Sequence, residues 1–326
     1  MTPTAFSRDA LLVQSGEDAV HPHRNLRWLT LMALLLLEIV GIYALYRDWS
    51  DEIKSYEAQE QASLDIAYRA AVNMYRLASE THFRDLSRRA DTFADYLQGL
   101  AAAGADAEAE AASHYRGKLY RDLYPLYEQM RKDGFRQFQF HSANGRSFLR
   151  FHAPTQFGDD VYAKRPSVRL ANRDLRPLAG FEIGAVMTGF SYVYPIVKQG
   201  RHIGSVEFGV PFSALRDAIS ELDKSREYAI LLRRDQVDQT ANKDYIEMYR
   251  TSELSPDYLV EDPAANLPDA LPRLSSDAVA VSARLHAMPA IQRAMRAGDG
   301  TATTLDEQDA AWLVMLYPIR DIEGRQ

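Results

Sequence analysis

Two stretches of this chain repeat one another, and the repeat limits the fold more than any other feature. Tyr192-Val193-Tyr194-Pro195-Ile196-Val197-Lys198-Gln199-Gly200-Arg201 reads as a strand running into a turn, with Ile203 to Val210 as the returning strand. Ala311-Trp312-Leu313-Val314-Met315-Leu316-Tyr317-Pro318-Ile319 is followed by another polar turn and Gly324-Arg325. Both copies share Tyr-Pro-Ile, a polar turn and Gly-Arg. A strand that ends in a tight turn implies an antiparallel partner. Within these residues only the first copy has one. The expectation is two related antiparallel modules, the second truncated in mid-hairpin, with any output domain lying outside this sequence.

A length of 326 residues accommodates two such modules and an anchor. Hydrophobic residues at 46% and charged residues at 25% exclude wholesale disorder. A net charge of -7 without any basic run argues against a nucleic-acid partner. The absence of cysteine excludes disulfides, thiolate catalysis and Cys-ligated zinc.

Trp28 to Tyr46 is almost wholly apolar and spans about 28 Å as a helix, close to the thickness of a bilayer core. Arg27 and Arg47 bracket it, and Trp28, Tyr43, Tyr46 and Trp49 stand where interfacial aromatics belong. A cleaved signal peptide would have a shorter apolar core and a small-residue cleavage site, whereas bulky residues follow here. Residues 26–47 are therefore expected to be an uncleaved transmembrane helix, with residues 1–25 as a cytoplasmic tail. Glu38 lies near mid-span. It is either a polar contact between two helices of a homodimer or a lone protonated carboxyl.

Residues 48–134 read as a long helical segment. Phe83, Leu86, Ala90, Phe93, Leu97 and Leu100 form one helical stripe, and Ser113 to Lys132 reads as a further helix with Pro125 as a possible kink. The period then changes. Phe135–His141 and Arg146–His152 alternate around Ser142-Ala143-Asn144-Gly145, a hairpin signal. Phe181–Ile183, Phe190–Ile196 and Ile203–Val210 supply three more strands, after a loop with a short helix between Pro154 and Ala179. Residues 135–225 thus form a first, membrane-distal module of about five strands, closed by a helix from Pro211 to Lys224. Residues 226–326 form the second, membrane-proximal module. There Tyr228 to Arg233 starts a sheet, Asn242 to Pro272 reads as long loops and Val279 to Arg296 as a helix. Thr301–Leu305 and Ala311–Pro318 are the last strands. The fold class is α+β.

Several segments together resemble a known family. They are Phe148-Leu149-Arg150-Phe151-His152-Ala153-Pro154, Phe157-Gly158-Asp159-Asp160, Gly180-Phe181-Glu182-Ile183-Gly184, Tyr194-Pro195, and Gly204-Ser205-Val206-Glu207-Phe208-Gly209. In order and spacing they are similar to double Cache sensor domains, nearest to the double sensory domain of two-component sensor kinases, over roughly residues 50–326. The resemblance implies two tandem PAS-like modules. It also implies a periplasmic small-ligand sensor on a single-pass anchor in the bacterial inner membrane. Such receptors carry histidine kinase, diguanylate cyclase or chemoreceptor outputs. A periplasmic interaction or dimerisation module without a small ligand is the alternative.

Strand alternation sorts the candidate ligand-binding residues. Arg150 and His152 are expected to share a face with Phe148, opposite Leu149 and Phe151. Glu182 lies opposite Phe181 and Ile183, and Glu207 lies opposite Val206 and Phe208. Tyr192 and Tyr194 share a face, and Asp160 follows on the loop. One sheet face is expected to pack on the long helix and the other to gather Arg150, His152, Glu182, Glu207 and the tyrosines. Structural readings stand beside the functional ones. Arg150 could pair across the sheet with Glu182 or Glu207, Asp159 and Asp160 could cap the following helix, His152 could be a hydrogen-bonded structural histidine, and the tyrosines could be core residues. No hydrolase, phosphate-loop or metalloprotease spacing occurs, so neither enzyme activity, a metal nor a cofactor is expected.

Overall fold

The computed structural model describes residues 22–103, 110–241, 243–261, 274–307 and 310–325. The expected tail, residues 1–25, lies mostly outside them. The chain divides into Met1–Tyr56 and Glu57–Gln326. In the first unit, residues 22–56 belong to helix α1 (Pro22–Ser87), whose leucine, isoleucine and aromatic side chains from Leu26 to Trp49 are exposed. Among the described residues this is the one helix long and apolar enough to cross a membrane.

In the second unit, α1 ends at Ser87 and α2 (Ala90–Ala103) begins three residues later, so the long helix expected through Leu100 is broken. Arg88 and Arg89 donate to the carbonyls of Asp85 and Leu86, closing a tight last turn. The break turns the apolar stripe onto the sheet. Tyr96 on α2 is fully buried against Phe140 and Phe148, and its hydroxyl donates to the His141 carbonyl. Helix α3 (Glu110–Lys132) runs through Pro125.

The first sheet consists of β1 (Gln137–Ser142), β2 (Ser147–Arg150), β3 (Leu178–Ile183), β4 (Thr188–Lys198) and β5 (Arg201–Pro211). It is antiparallel in the order β2-β1-β5-β4-β3. The β1–β2 hairpin turns at Gly145, whose φ of 79° needs glycine. Between β4 and β5 the chain turns at Gln199 and Gly200, both with positive φ. One face is apolar: Phe138, Phe140, Tyr192, Tyr194, Val206 and Phe208 are buried in one core that also takes in α1, α2 and α3. Helix α4 (Pro166–Asp174) crosses the opposite face, and α5 (Phe212–Leu222) follows β5.

Phe148 departs from the expected alternation. The β1–β2 register slips between Phe140 and His141, pairing Phe140 with Leu149 but His141 with Ser147. This bulge turns Phe148 to the helix side, away from Arg150.

The remainder is more finely divided than its sequence suggests. It contains β6 (Leu232–Arg233), α6 (Arg234–Thr240), α7 (Lys243–Ile246), β7 (Tyr249–Thr251) and β8 (Tyr258–Glu261), with sheet order β6-β8-β7. The long loops expected from Asn242 to Pro272 therefore hold a short helix and two strands, while residues 242 and 262–273 lie outside the description. The single helix expected from Val279 to Arg296 is two, α8 (Ser276–His286) and α9 (Pro289–Ala297). Pro289 takes the first turn of α9, where its missing N–H costs nothing. Strands β9 (Thr301–Glu307) and β10 (Ala310–Leu316) pair as a separate hairpin. Beyond them, Ile322 donates to the Phe181 carbonyl at 2.9 Å, so the C-terminal turn rests on the β3 edge.

Among the described residues of this part, Leu254, Val281, Leu285, Ile291 and Met295 form a small buried core of their own. Local stability follows buried apolar contact. In hydrogen exchange, amides of β7 to β10 are expected to exchange about tenfold or more faster than those of β1, β4 and β5. Equal protection in both regions would overturn this expectation.

Candidate functional site

The polar face of the first sheet is built by alternation. Gln137, Gln139 and His141 of β1 point away from Phe138 and Phe140, and Ser205 and Glu207 of β5 point away from Val206 and Phe208. Glu182 of β3 and Ser191 of β4 complete the floor, and all seven side chains are buried. Above it, residues 151–165 form a loop laced to the β1–β2 hairpin. The Ser147 and Gly158 amides donate to the Asp159 and Ser147 carbonyls, and the Val161 amide to the Gly145 carbonyl. The loop delivers Arg165, the residue just before α4.

Arg165 is the centre of the site. Its guanidinium donates to both Glu182 and Glu207, to Ser191 Oγ at 2.7 Å and to Gln137 Oε1 at 3.3 Å. Glu207 also accepts from Gln139 Nε2 at 2.6 Å and Ser191 Oγ at 2.9 Å. The N-terminus of α4 holds Glu182 from above: the Ser167 amide donates at 2.8 Å and its hydroxyl at 3.1 Å. Asn172 reaches down from α4 to Ser205 at 3.2 Å. The Arg165 side chain keeps 12% of its exposure, while Glu182 and Glu207 keep 5% and 0%.

Of the residues singled out from sequence, Glu182 and Glu207 come together here. Arg150 lies on the same face beside Gln139, 3.3 Å from its Oε1, but does not pair with either glutamate. It forks onto Asp159 at 2.7 and 2.9 Å and bonds the Gln156 carbonyl at 3.0 Å, clamping the loop. Asp160 accepts from the Tyr162 amide at 2.9 Å, an Asx turn, and neither it nor Asp159 caps α4. Tyr192 and Tyr194 lie on the opposite face. Tyr192 donates to the Val72 carbonyl at 3.1 Å, and Tyr194 bonds Ser79 Oγ at 2.8 Å and stacks on Phe83. Their register opposite Phe208 and Val206 fixes that face. His152 stands past the end of β2, where with Gln137, Thr188 and Tyr124 it lines a cavity of about 1340 Å³.

Arg165 itself carries no periodic signal, because it lies in a loop. Gln137, Gln139 and His141 were readable from the Gln-Phe-Gln-Phe-His alternation.

Burial sets the charge states. The Glu182 carboxyl is pushed up by burial, which outweighs the pull of Arg165. His141 is held neutral down to about pH 3, chiefly by burial and then by Arg165 and Arg150. His152 is depressed to about 4 for the same reasons, with Arg150 ahead of Arg165. Both buried glutamates share the one guanidinium of Arg165.

Residues 57–326 match the double Cache family described as the double sensory domain of two-component sensor kinases, and the chain belongs to that family. No curated protein sequence matches it. Among solved structures, the extracellular domain of vpHK1S-Z8, described as a histidine kinase, is 13% identical, with 84% of this chain and 89% of that one covered and a TM-score of 0.41. The sensor domain of the V. cholerae histidine kinase DctB is 14% identical at a TM-score of 0.32, covering 51% of this chain. The match spans 65% of the DctB sensor domain. The ligand-binding domain of the Campylobacter jejuni chemoreceptor Tlp3, solved with 4-methylisoleucine, is 12% identical at a TM-score of 0.29, with 52% of this chain and 69% of that one covered.

Proposed function

We propose that this chain is the anchored sensor region of a bacterial signalling receptor. Its first sheet captures a small ligand bearing an ammonium or guanidinium group. The sensor stands on the periplasmic side of the inner membrane, and the chain itself catalyses nothing. The observation that carries this reading is the Arg165–Glu182–Glu207 cluster. Two glutamates buried on neighbouring parts of a sheet face, which share one cationic side chain from a loop, form a ready receptor for a cation. A ligand amine arriving by way of Gln137, which lines the cavity and also touches Arg165, would take the place of that guanidinium.

Capture is coupled to α1 through single residues. Glu207 faces the site, while Phe208 next to it packs on Tyr194 and on His82 of α1 at ring distances of 5.8 and 6.2 Å. A small displacement of β5 therefore moves the helix face. Two copies paired along α1 would carry that shift towards the output.

A thermal-shift screen of the solubilised full chain against primary amines, guanidines and carboxylates tests the reading. Amines or guanidines are expected to raise the melting temperature. Arg150→Ala loosens the loop clamp by removing the fork onto the half-exposed Asp159 and the bonds to the Gln156 carbonyl and Gln139, so its stability cost is about 1–2 kcal/mol. In that variant the ligand-induced shift is expected to disappear. A screen in which no cationic compound shifts the wild type would favour a protein-interaction module.

A further inference from the structure

Helix α3 carries Tyr120, Tyr124 and Tyr127 at i, i+4 and i+7, so their rings share one face. That face lines the cavity of about 1340 Å³ that also takes in Phe151, His152 and Gln137. We propose that this cavity is a second ligand site, for an aromatic carboxylate whose ring lies on the tyrosine wall and whose acid group meets Arg131 and Arg136. The proposal is independent of the cation site.

The lining suits a flat apolar body. Phe151 stacks on Tyr120 at a ring distance of 5.4 Å, and Tyr124 bridges Tyr120 and Tyr127 at 5.2 and 6.2 Å. Tyr124 keeps 36% of its exposure, so part of its ring is open to a further aromatic partner. Another part of the lining comes from Met187 and from the second half, where the rings of Tyr245 and Tyr249 lie 5.3 Å apart. Tyr249 donates to the Tyr245 hydroxyl at 2.6 Å, and that hydroxyl accepts from the Thr188 amide at 2.5 Å. These tyrosines are therefore fixed to β4.

Charge selects an acid. The carboxylates of the lining are already engaged: Glu261 and Asp217 pair with Arg216 at 3.1 and 2.8 Å, and Glu227 accepts from the Ser275 amide and hydroxyl at 2.6 and 2.7 Å. Arg136 is exposed and meets no carboxylate within ion-pair distance among the described residues. Arg131 shares its charge with Glu128 at 3.0 Å on the surface. Burial raises the Tyr127 phenol, while Arg131 and Arg136 pull it back, so both guanidiniums lie around that end of the tyrosine wall. Guanidinium forks match a carboxylate in charge and geometry. Two lining residues also carry buried polar atoms without a partner among the described residues, His152 Nδ1 and Thr188 Oγ1. An unpaired buried polar group is costly, and a hydroxyl on the ligand ring would satisfy one of them.

Calorimetric titration of the solubilised full chain with para-hydroxyphenylpropionate, with its primary amide and with propionate tests the proposal. The acid is expected to bind about tenfold or more tightly than the amide, which lacks the charge, or propionate, which lacks the ring. Arg136→Gln is expected to weaken the acid about tenfold and Tyr124→Ala about threefold or more. Both side chains are exposed, so both variants are expected to keep the wild-type melting temperature. Glu207→Gln is expected to leave the acid's affinity unchanged. Equal binding of the acid and its amide, or no binding of the acid, overturns the proposal. So does unchanged affinity in Arg136→Gln. Loss of acid binding in Glu207→Gln overturns it as well, because the acid would then sit at the Arg165 cluster.

Discussion

Arg165→Ala is expected to destabilise the protein by about 3–5 kcal/mol, the largest effect of any single substitution in the site. The arginine is the common partner of Glu182 and Glu207, which keep 5% and 0% of their side-chain exposure. Removing it leaves both carboxyl groups buried, with neutral donors from Ser167, Ser191 and Gln139 to hold them. Arg165→Lys keeps the charge but not the fork that reaches four acceptors, so it should fall between wild type and alanine. The triple variant Arg165→Met, Glu182→Gln, Glu207→Gln removes all three charges and is expected to recover most of the loss. Chemical denaturation of the three variants provides the check. A cost below about 1 kcal/mol for Arg165→Ala would mean that the cluster is solvated rather than buried.

Acidification from pH 6.5 to pH 4 is expected to cost about 3 kcal/mol for each of His141 and His152. In the unfolded chain both imidazoles take a proton near pH 6.5. In the fold they stay neutral down to about 3 and about 4. Over that window the unfolded state binds more protons, so stability falls as pH falls. Glu182 acts in the opposite sense. Its folded carboxyl is raised above the unfolded value, so its contribution is lost as pH rises, which offsets part of the histidine effect. Melting temperature against pH should therefore decline through this range, and His141→Asn with His152→Asn should flatten the decline. An unchanged slope in the double variant would show that the two imidazoles titrate normally.

The parts of the fold that sequence made legible share a short-range cause. Asn144-Gly145 between alternating runs specifies a hairpin by turn geometry alone, and the alternation around Phe181 and Phe208 places Glu182 and Glu207 on one face. What sequence hid depends on tertiary pairing. The bulge that turns Phe148 inward is a matter of β1–β2 register, and the break at Arg88-Arg89 reflects α2 folding onto the sheet. Tyr192 and Tyr194 can be assigned a face only once β4 is set against β5. Arg165 reaches two distant strands from a loop, and no local pattern marks it. For the same reason Arg150, the arginine singled out from the sequence, proves to hold the loop while Arg165 holds the glutamates.

The central claim is that the face closed by Arg165 receives a cation. Calorimetric titration with an amine or guanidine taken from the thermal-shift screen, on wild type and on Glu207→Gln, tests it most directly. Glutamine keeps the size of the side chain and its bond to Ser191 but loses the charge. Binding is expected to weaken about tenfold or more while the variant remains folded. Equal affinity in the two proteins would contradict the account and place the ligand elsewhere.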